Sequence, residues 1–296
     1  MSLVPLACRS DGSPGQATSS AKIHVVASFY PLAYVVQRIG GDLVSVENLT
    51  PAGAEPHELE LTASDTGHLE DADLIVYLSG FAPAVDDGVA TAGADHAVDV
   101  AQAARLDLTY SPIQDGTQTD RSGRRDPHFW LDPTRLIDVA TVVDGRLEAR
   151  DPGHAAIFRA NLATLVSELR VLDQEYSAGL ATCADTDIVT SHNAFGYLAE
   201  RYHLTQVGIT GLTPEDEPTP ADLAAVTQFV RDNHVTTIYY ETLVSPAIAQ
   251  TVASETGAQT AVLDPIEGLS DSSQGTDYFG VMRANLVNLR SGQGCS

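Results

Sequence analysis

Four side chains that can bind a transition metal lie where a short apolar run ends or where a helix is about to begin. They are His57 in AEPHELELT, His128 in DPHFWLDP, His192 in IVTSHNAF and Asp264 in AVLDPIEGL. Three imidazoles and one carboxylate form a suitable tetrahedral set for Zn(II), with bonds of about 2.0 to 2.2 Å. Each residue alone is more often a helix cap or a hydrogen-bonded structural residue. One sequence cannot show that the four meet in space, so the set is a hypothesis.

The elements that would position these side chains follow a βαβ pattern. From Lys22 onward, short β-branched runs alternate with helical stretches, as in parallel α/β sheets. The predicted strands are 24–28, 45–49, 74–78, 188–190, 206–209, 237–240 and 260–263. Ligands of open parallel sheets bind beyond the carboxyl ends of the strands. His57, His192 and Asp264 each follow one of these strands, which favours a shared site.

Three helices have clear sequence signals. Asp132-Pro133 and Thr219-Pro220 each place an oxygen-bearing cap before a proline at the first helical position. Residues 155–177 contain neither glycine nor proline and can form a helix of roughly 35 Å. Its predicted apolar stripe consists of Ile157, Leu162, Leu165, Leu169 and Leu172. We expect this helix to connect two lobes rigidly.

The predicted organisation is α/β, with two lobes of mainly parallel sheets flanked by helices and joined by one long helix. The expected boundaries are 1–21 for a signal remnant and tether, 22–148 for the N-terminal lobe, 149–182 for the connecting helix and 183–296 for the C-terminal lobe. A chain of 296 residues is long enough for each lobe to bury its own core.

Composition restricts the function classes. With 43% hydrophobic and 19% charged residues, the chain is globular rather than disordered. Its formal charge of -24 repels phosphate backbones and anionic headgroups, so we expect no nucleic-acid partner. The sequence contains no apolar run of the about 18 residues that a membrane span needs. Any membrane contact would therefore need an anchor.

The three cysteines suggest an exported protein. Cys8 follows the short apolar segment VPLA and precedes a polar, Gly- and Ser-rich stretch, which is typical of a lipoprotein tether. Pro5 stands where a lipidation motif usually has leucine, so lipidated and unlipidated forms both stay open. Cys183 and Cys295 are far apart, and in an exported protein such a pair more often forms a disulfide than a metal site. We expect this bond to hold the C-terminal tail to the second lobe.

Six segments together resemble a known family. PHELELT, PHFWLDP, SHNAFGYLA and LDPIEGL, with ADLIVYLSG and IYYETLVSP between them, are similar to the zinc and manganese solute-binding proteins of ABC importers, cluster A-I. The resemblance extends in order from Ile23 to Leu289. It implies two α/β lobes, one long connecting helix, and one metal ion at the interface. The family's ligands fall on His57, His128, His192 and Asp264.

The resemblance also favours one metal and one biological role. In this family a glutamate at the position of His192 accompanies manganese, whereas histidine accompanies zinc, and imidazole suits zinc better than Mn(II). We therefore expect one Zn(II) per chain, captured outside the cytoplasm by a monomer and delivered to an ABC transporter permease. A metallochaperone that loads the site is a further conceivable partner. Many zinc members carry a histidine-rich loop before the second ligand, but residues 111–127 contain no histidine.

Some residues and functions remain open. Glu241 ends the run IYYE and either hydrogen-bonds a ligand imidazole or is simply a buried acid with a structural partner. Trp130 is expected to pack against the wall of the site, and the other six histidines are expected to be structural. The alternative functions are a manganese receptor, an adhesin-like surface protein and a secreted zinc hydrolase using Asp264 or Glu241 as base. Neither HExxH nor GxSxG occurs, which disfavours an enzyme.

Overall fold

The computed structural model describes residues 21–110, 113–114, 117–118, 123–214 and 216–296. Within them the chain forms two four-stranded parallel sheets, one in each half of the sequence. The first has the order β2-β1-β3-β4, with β1 Ile23–Ala27, β2 Val44–Asn48, β3 Leu74–Tyr77 and β4 Ala97–Asp99. The second has the order β10-β9-β7-β8, with β7 Asp187–Thr190, β8 Thr205–Gly208, β9 Thr237–Tyr240 and β10 Gln259–Val262. A short antiparallel pair, β5 Ile113–Gln114 and β6 Thr117–Gln118, lies between the halves in sequence.

Helices flank these sheets, as expected for βαβ units. The helices of the first half are α1 Tyr30–Gly40, α2 Ala63–Asp71, α3 Pro83–Gly88, α4 Ala101–Ala104 and α5 Pro133–Arg150. Those that follow are α6 Ala155–Gly179, α7 Gly196–Tyr202, α8 Pro220–Asp232, α9 Ala247–Thr256 and α10 Tyr278–Gly292. The two-lobed α/β architecture is thereby confirmed. The exact domain boundaries stay a prediction.

The seven predicted strands are confirmed to within one residue at each end. Both predicted helix starts are also confirmed. The Thr219 side chain accepts a hydrogen bond from the backbone N–H of Asp222, and Asp132 caps α5 by accepting one from Thr134. Strand β4, which is only three residues long and lies at the edge of its sheet, is not among the predicted strands. A strand this short carries too little alternation to be recognised.

Helix α6 is the long connector, and it contacts both lobes. Near its beginning, the Asn161 side chain donates a 2.8 Å hydrogen bond to the carbonyl of Ile39 in α1. Near its end, the Tyr176 hydroxyl donates a 2.6 Å hydrogen bond to the carbonyl of Met282 in α10. With 25 residues the helix is about 37 Å long. Both lobes are therefore attached to one stiff element.

The buried stripe of α6 differs from the predicted one. Ile157 is 46% exposed, whereas its neighbour Phe158 is fully buried. The buried positions are Phe158, Leu165, Leu169, Leu172 and Tyr176. The last four follow three- and four-residue steps and so share one helix face. The choice between Ile157 and Phe158 depends on how the start of the helix meets α5, which periodicity alone does not specify.

The predicted disulfide between Cys183 and Cys295 is confirmed. The backbone N–H of Ala184 beside it donates a 3.0 Å hydrogen bond to the carbonyl of Gln293, so the tail is attached by backbone contacts as well. Cys8 lies outside the described residues, and its lipidation stays a prediction. Among the helices of the described residues, none is both long and apolar enough to cross a membrane.

Candidate metal centre

Three histidines converge between the two lobes, beyond the carboxyl ends of the strands. His57 lies on the loop that follows β2, and His128 lies just before α5. His192 follows β7 in the other lobe. The Nε2 atom of His128 lies 3.3 Å from that of His57 and 3.4 Å from that of His192. The structure therefore brings together all three imidazoles that the sequence singled out.

The carboxylate that faces these imidazoles belongs to Glu267, and Asp264 lies outside the group. Glu267 Oε1 is 3.3 Å from the Nε2 atom of His57, 3.1 Å from that of His128 and 3.4 Å from that of His192. The four ligand atoms lie within 4.8 Å of one another. Glu267 is fully buried, and its Oε2 atom has no hydrogen-bond partner among the described residues.

Asp264 is instead engaged in local hydrogen bonds. Its Oδ1 atom accepts a 2.8 Å bond from the backbone N–H of Ile266, and its Oδ2 atom accepts bonds from the hydroxyls of Thr242 and Ser273. The backbone N–H and carbonyl of Asp264 are held by the Asn285 side chain. These contacts use both oxygens of the predicted ligand to shape the loop after β10.

The turn at Ile266 explains why the next residue enters the site. Ile266 has φ of 60°, in the left-handed region that a β-branched residue rarely adopts. Its side chain is fully buried, and its N–H is bonded to Asp264, so the surroundings hold it there. The carbonyl of Pro265 accepts a 2.7 Å hydrogen bond from the Trp130 indole of the other half of the site. The loop is thereby fixed with Glu267 directed at the imidazoles.

The spacing of the four atoms fits a tetrahedral ion. A regular tetrahedron with edges of about 3.3 Å has its centre about 2.0 Å from each corner, which is the length of a Zn–N or Zn–O bond. Five of the six edges between these atoms measure 3.1 to 3.4 Å. Calcium-type sites need six to eight oxygen ligands at 2.3–2.6 Å. The donor set and its spacing therefore suit a borderline transition metal.

Two carboxylates orient the imidazoles from behind. Asp126 Oδ1 accepts hydrogen bonds from the backbone N–H of His128, at 2.9 Å, and from its Nδ1 atom, at 2.7 Å. Glu241 Oε1 binds His192 in the same way, at 3.0 Å and 2.6 Å. A proton held on Nδ1 leaves the Nε2 lone pair free to face a metal. Asp126 escaped the sequence analysis, although its place two residues before His128 is a usable signal.

Burial and charge set the protonation of the site. Burial alone would raise the pKa of Glu267, but the three facing imidazoles outweigh it and hold the pKa well below its usual range. Burial lowers the pKa of His57, and its interaction with Glu267 only partly compensates. Burial also acts to lower the pKa of His192, yet the charge and hydrogen bond of Glu241 and the contact with Glu267 raise it well above its usual value of 6.5. The carboxylate is thus ionised, whereas His192 must release a proton before it can bind a cation.

Aromatic rings form one wall of the site. The ring of Phe81 lies 4.4 Å from that of His57, measured between centroids, and Trp130 lies 5.3 Å from His128. Trp130 is fully buried, and its position agrees with the expected packing role. A cleft of about 490 Å³ opens beside His57 and Phe81, and Arg124 and Arg125 are among its lining residues. Among the four residues of the cluster, His57 lies nearest to solvent, with a side chain that is 6% exposed.

The other six histidines lie outside this group. His96 bonds the carbonyl of Leu69, His154 bonds Asp151, and His203 and His234 occupy left-handed turn positions. His24 and His68 both approach Glu47 on the surface of the first lobe. None of the six belongs to the central cluster, as the sequence analysis expected.

Comparisons with known proteins assign this architecture to a family. A sequence model described as "Zinc-uptake complex component A periplasmic" matches residues 25–292. The chain is 34% identical, over 297 residues, to the high-affinity zinc uptake system protein ZnuA of Bacillus subtilis, covering 97% of this chain and 93% of that protein. It is also 34% identical to the zinc-binding lipoprotein AdcA of Streptococcus pneumoniae, but it spans only 56% of that longer protein.

Solved structures agree with the sequence comparisons. The Zn(II)-bound ZnuA-like domain of Streptococcus pneumoniae AdcA matches with a TM-score of 0.76 at 34% identity, covering 92% of this chain and 99% of the domain. The laminin-binding protein Lmb of Streptococcus agalactiae, described as having adhesin and metal-transporting activity, matches with a TM-score of 0.79 at 31% identity, with coverage of 92% and 99%. The chain belongs to the ZnuA family of solute-binding components of zinc-uptake systems.

Proposed function

We propose that this protein captures one Zn(II) ion outside the cytoplasm and delivers it to the permease of an ABC importer, with His57, His128, His192 and Glu267 as the ligands. One observation carries the proposal: five of the six separations among four ligand atoms from the two lobes are 3.1 to 3.4 Å, as a tetrahedral zinc shell requires. Glu267 takes the place that the sequence analysis gave to Asp264, because Asp264 uses its oxygens to build the loop.

Zinc is favoured over manganese by the chemistry of the ligands. Three of the four donors are imidazole nitrogens, which suit the borderline-soft zinc ion, whereas Mn(II) prefers carboxylate, carbonyl and water oxygens. Manganese also favours six-coordinate oxygen sites, and the four atoms here surround a space with tetrahedral dimensions. The buried ring wall adds no further oxygen donor to the group.

A shell of four protein ligands supports transport rather than hydrolysis. Catalytic zinc sites usually keep three protein ligands and leave one position for an activated water. The two candidate bases of a hydrolase are both occupied, since Glu241 binds the His192 imidazole and Asp264 binds Thr242 and Ser273. We therefore assign both carboxylates to holding the site in shape.

Delivery to the permease requires at least one ligand to move. Helix α6 contacts both lobes along its length, which disfavours a wide hinge closure. The loop with His57 is the better candidate, because it is rich in proline and glycine and holds the least buried ligand. Its Gly53 N–H donates a 2.9 Å hydrogen bond to Leu269, two residues after Glu267. Movement of one loop would therefore be transmitted to the other.

The first experiment is a competition titration of the chelator-stripped protein with zinc and with manganese. We expect one tight zinc ion per chain, a much weaker manganese ion, and a loss of about 100-fold or more in zinc affinity for His192→Ala. His234→Asn is the matched control, because His234 is exposed and lies before β9, at the opposite end of the sheet from the site. Tight manganese binding, or wild-type affinity in His192→Ala, would overturn the proposal.

The absence of catalysis is tested with the same zinc-loaded protein. Ester and peptide substrates should show no turnover above that of the His192→Ala variant. A turnover that depends on zinc and on Glu241 would instead support a hydrolase.

A further inference from the structure

A second group of histidines and carboxylates lies on the surface of the first lobe. Glu47, Asp65 and His68 offer three ligand atoms that lie within 4.8 Å of one another. His24 adjoins this group through Glu47 without being one of its three mutually close residues, since its Nε2 atom lies 3.6 Å from Glu47 Oε2. The Nδ1 atom of His68 lies 2.5 Å from the other oxygen, Glu47 Oε1. Both oxygens of one carboxylate therefore face an imidazole nitrogen.

We propose that His24, Glu47, Asp65 and His68 form a second site for a divalent transition metal of the zinc class. Two imidazoles and two carboxylates are donors that zinc accepts. They come from three elements, because His24 lies on β1, Glu47 on β2, and Asp65 and His68 on α2. Asp65 and His68 are three residues apart and therefore share one face of their helix.

The contact between His68 and Glu47 supports a shared ion. The Nδ1 atom of His68 is shielded from solvent and, within the described residues, has no partner aligned for a hydrogen bond. Two ligands of one zinc ion need a separation of about 3.3 Å, so the pair must open by less than 1 Å to admit the ion. Asp65 uses Oδ2 to cap its helix through Thr62, which leaves its other oxygen for a metal.

This group is more accessible than the central cluster. The side chains of His24 and Glu47 are each 33% exposed, and that of His68 is 44% exposed. Ligands that remain partly hydrated lose less water on binding and are held less rigidly, so the ion should bind more weakly and exchange faster than in a buried shell. The group thus has the character of an auxiliary site.

The position of the group connects it to the central site. Glu47 comes just before the loop 49–62, which carries His57, and Asp65 comes just after it. An ion shared by β2 and α2 would hold the two ends of this loop together. Resting on the proposed function, we further infer that occupancy of the second site steadies His57 and so slows release of the central zinc.

The test is a zinc titration of two backgrounds, the wild-type chain and His192→Ala, each with and without the His24→Ala/His68→Ala pair. Wild type should bind two zinc ions, and the paired variant should bind one, with central affinity changed by no more than about threefold. In His192→Ala the weaker ion should persist, and it should vanish when the pair is added. His203→Asn/His234→Asn, which removes two exposed histidines of the other lobe, should still bind two ions.

Other results would overturn the site. One is that wild type binds a single zinc ion even at zinc concentrations far above those that saturate the central site. The other is that the His24→Ala/His68→Ala variant still binds a second ion. Glu47→Gln gives an independent check. The substitution keeps the size of the side chain on the strand but removes its charge, and it should also remove the weaker ion. Hydrogen exchange should show loss of protection in 49–62 when only the second site is emptied. Unchanged hydrogen exchange would contradict the coupling to His57. Whether the second site exists would still be decided by the number of zinc ions bound.

Because the titration in His192→Ala does not need the central site, failure of the proposed function and failure of this site are distinguishable. If wild type binds no tight zinc ion, only the proposed central ligands are contradicted. If His192→Ala binds no weaker zinc ion, only the proposed second site is contradicted.

Discussion

The Oδ1 atom of Asp264 accepts a 2.8 Å hydrogen bond from the backbone N–H of Ile266, and this bond closes the turn that presents Glu267 to the three imidazoles. Two acids three residues apart thus have different tasks. Asp264 shapes the loop from within, while Glu267 supplies the oxygen that faces the site. The relationship predicts that the two residues respond differently to substitution.

Glu267→Ala should weaken zinc binding by about 100-fold or more, because it removes a proposed ligand and with it the one negative charge of the ligand set. Asp264→Asn keeps the shape of the side chain and should cost less, about tenfold, by loosening the turn at Ile266. Competition titration with a chromophoric chelator measures both. Asp271→Asn, an exposed acid of the same loop, is the control and should bind like wild type. Equal losses for Glu267→Ala and Asp264→Asn would argue against the division of tasks.

Glu241→Gln should reduce zinc affinity by about 10- to 100-fold without unfolding the protein. The amide can still occupy the position of the carboxylate, but it holds the Nδ1 proton of His192 less strongly. The 2.6 Å contact between Glu241 and His192 is the basis for this expectation. Isothermal titration gives the affinity, and a thermal melt of the apoprotein checks the fold. Wild-type affinity in this variant would mean that His192 is oriented by its other contacts.

Zinc affinity should fall as the pH is lowered, starting above 6.5. The pKa of His192 is raised well above 6.5, so its imidazole gains a proton early in an acid titration, and the proton competes with zinc. Glu241→Gln removes the first of the two carboxylates that raise this pKa, so the pKa of His192 should be lower than in wild type even though Glu267 remains. The fall in affinity should therefore begin at a lower pH in the variant than in wild type. Competition titrations from pH 8 to 5 test this, and a constant affinity over that range would exclude the three-histidine site.

Asp144→Asn should stabilise the apoprotein at neutral pH. Burial, helped by a hydrogen bond to Glu148 and its charge, raises the pKa of Asp144 to about 6. At pH values between the pKa of Asp144 in the unfolded chain and its higher pKa in the folded state, the folded protein binds more protons than the unfolded chain. The contribution of Asp144 to the free energy of unfolding therefore falls as the pH rises through this window. The substitution should add about 1–3 kcal/mol at pH 7 and almost nothing at pH 4.

Urea unfolding at both pH values measures the difference between Asp144→Asn and wild type. Asp138→Asn is the matched control, because Asp138 is an exposed acid of the same helix that forms an ion pair with the exposed Arg105. It should change stability by less than about 1 kcal/mol. A gain for Asp144→Asn that is equal at pH 4 and pH 7 would show that ionisation is not its cause.

Loss of the disulfide should destabilise the protein while leaving zinc affinity almost unchanged. Cys183 and Cys295 are separated by 112 residues, and cross-links that close long loops stabilise by about 2–4 kcal/mol. The bond attaches the end of the chain, next to the start of β7, whereas the metal ligands lie at the carboxyl ends of the strands. Urea unfolding of Cys183→Ser/Cys295→Ser, with reduced wild type as control, gives the cost. A large loss of zinc affinity would place the tail in contact with the site.

The sequence by itself determined seven of the eight strands of the two parallel sheets, two capped helix starts and the three histidines. Each strand has enough β-branched residues, and the capped helices have Asp or Thr before proline, so local preferences and tertiary structure agree there. His57, His128 and His192 follow from their positions at the ends of these elements. The pairing of Cys183 with Cys295 also followed, because only two cysteines remain once Cys8 is set aside.

Only the tertiary structure decided which acid faces the histidines. Asp264 and Glu267 lie in the same segment, LDPIEGL, and local sequence preference favours neither. The choice depends on a left-handed Ile266, which is costly for an isolated chain and is held by burial and by contacts from Thr242, Ser273 and Trp130. Ser273 is close in sequence, but Thr242 and above all Trp130 are distant from this turn. A backbone conformation that local energetics disfavour can be read only from the packing that enforces it.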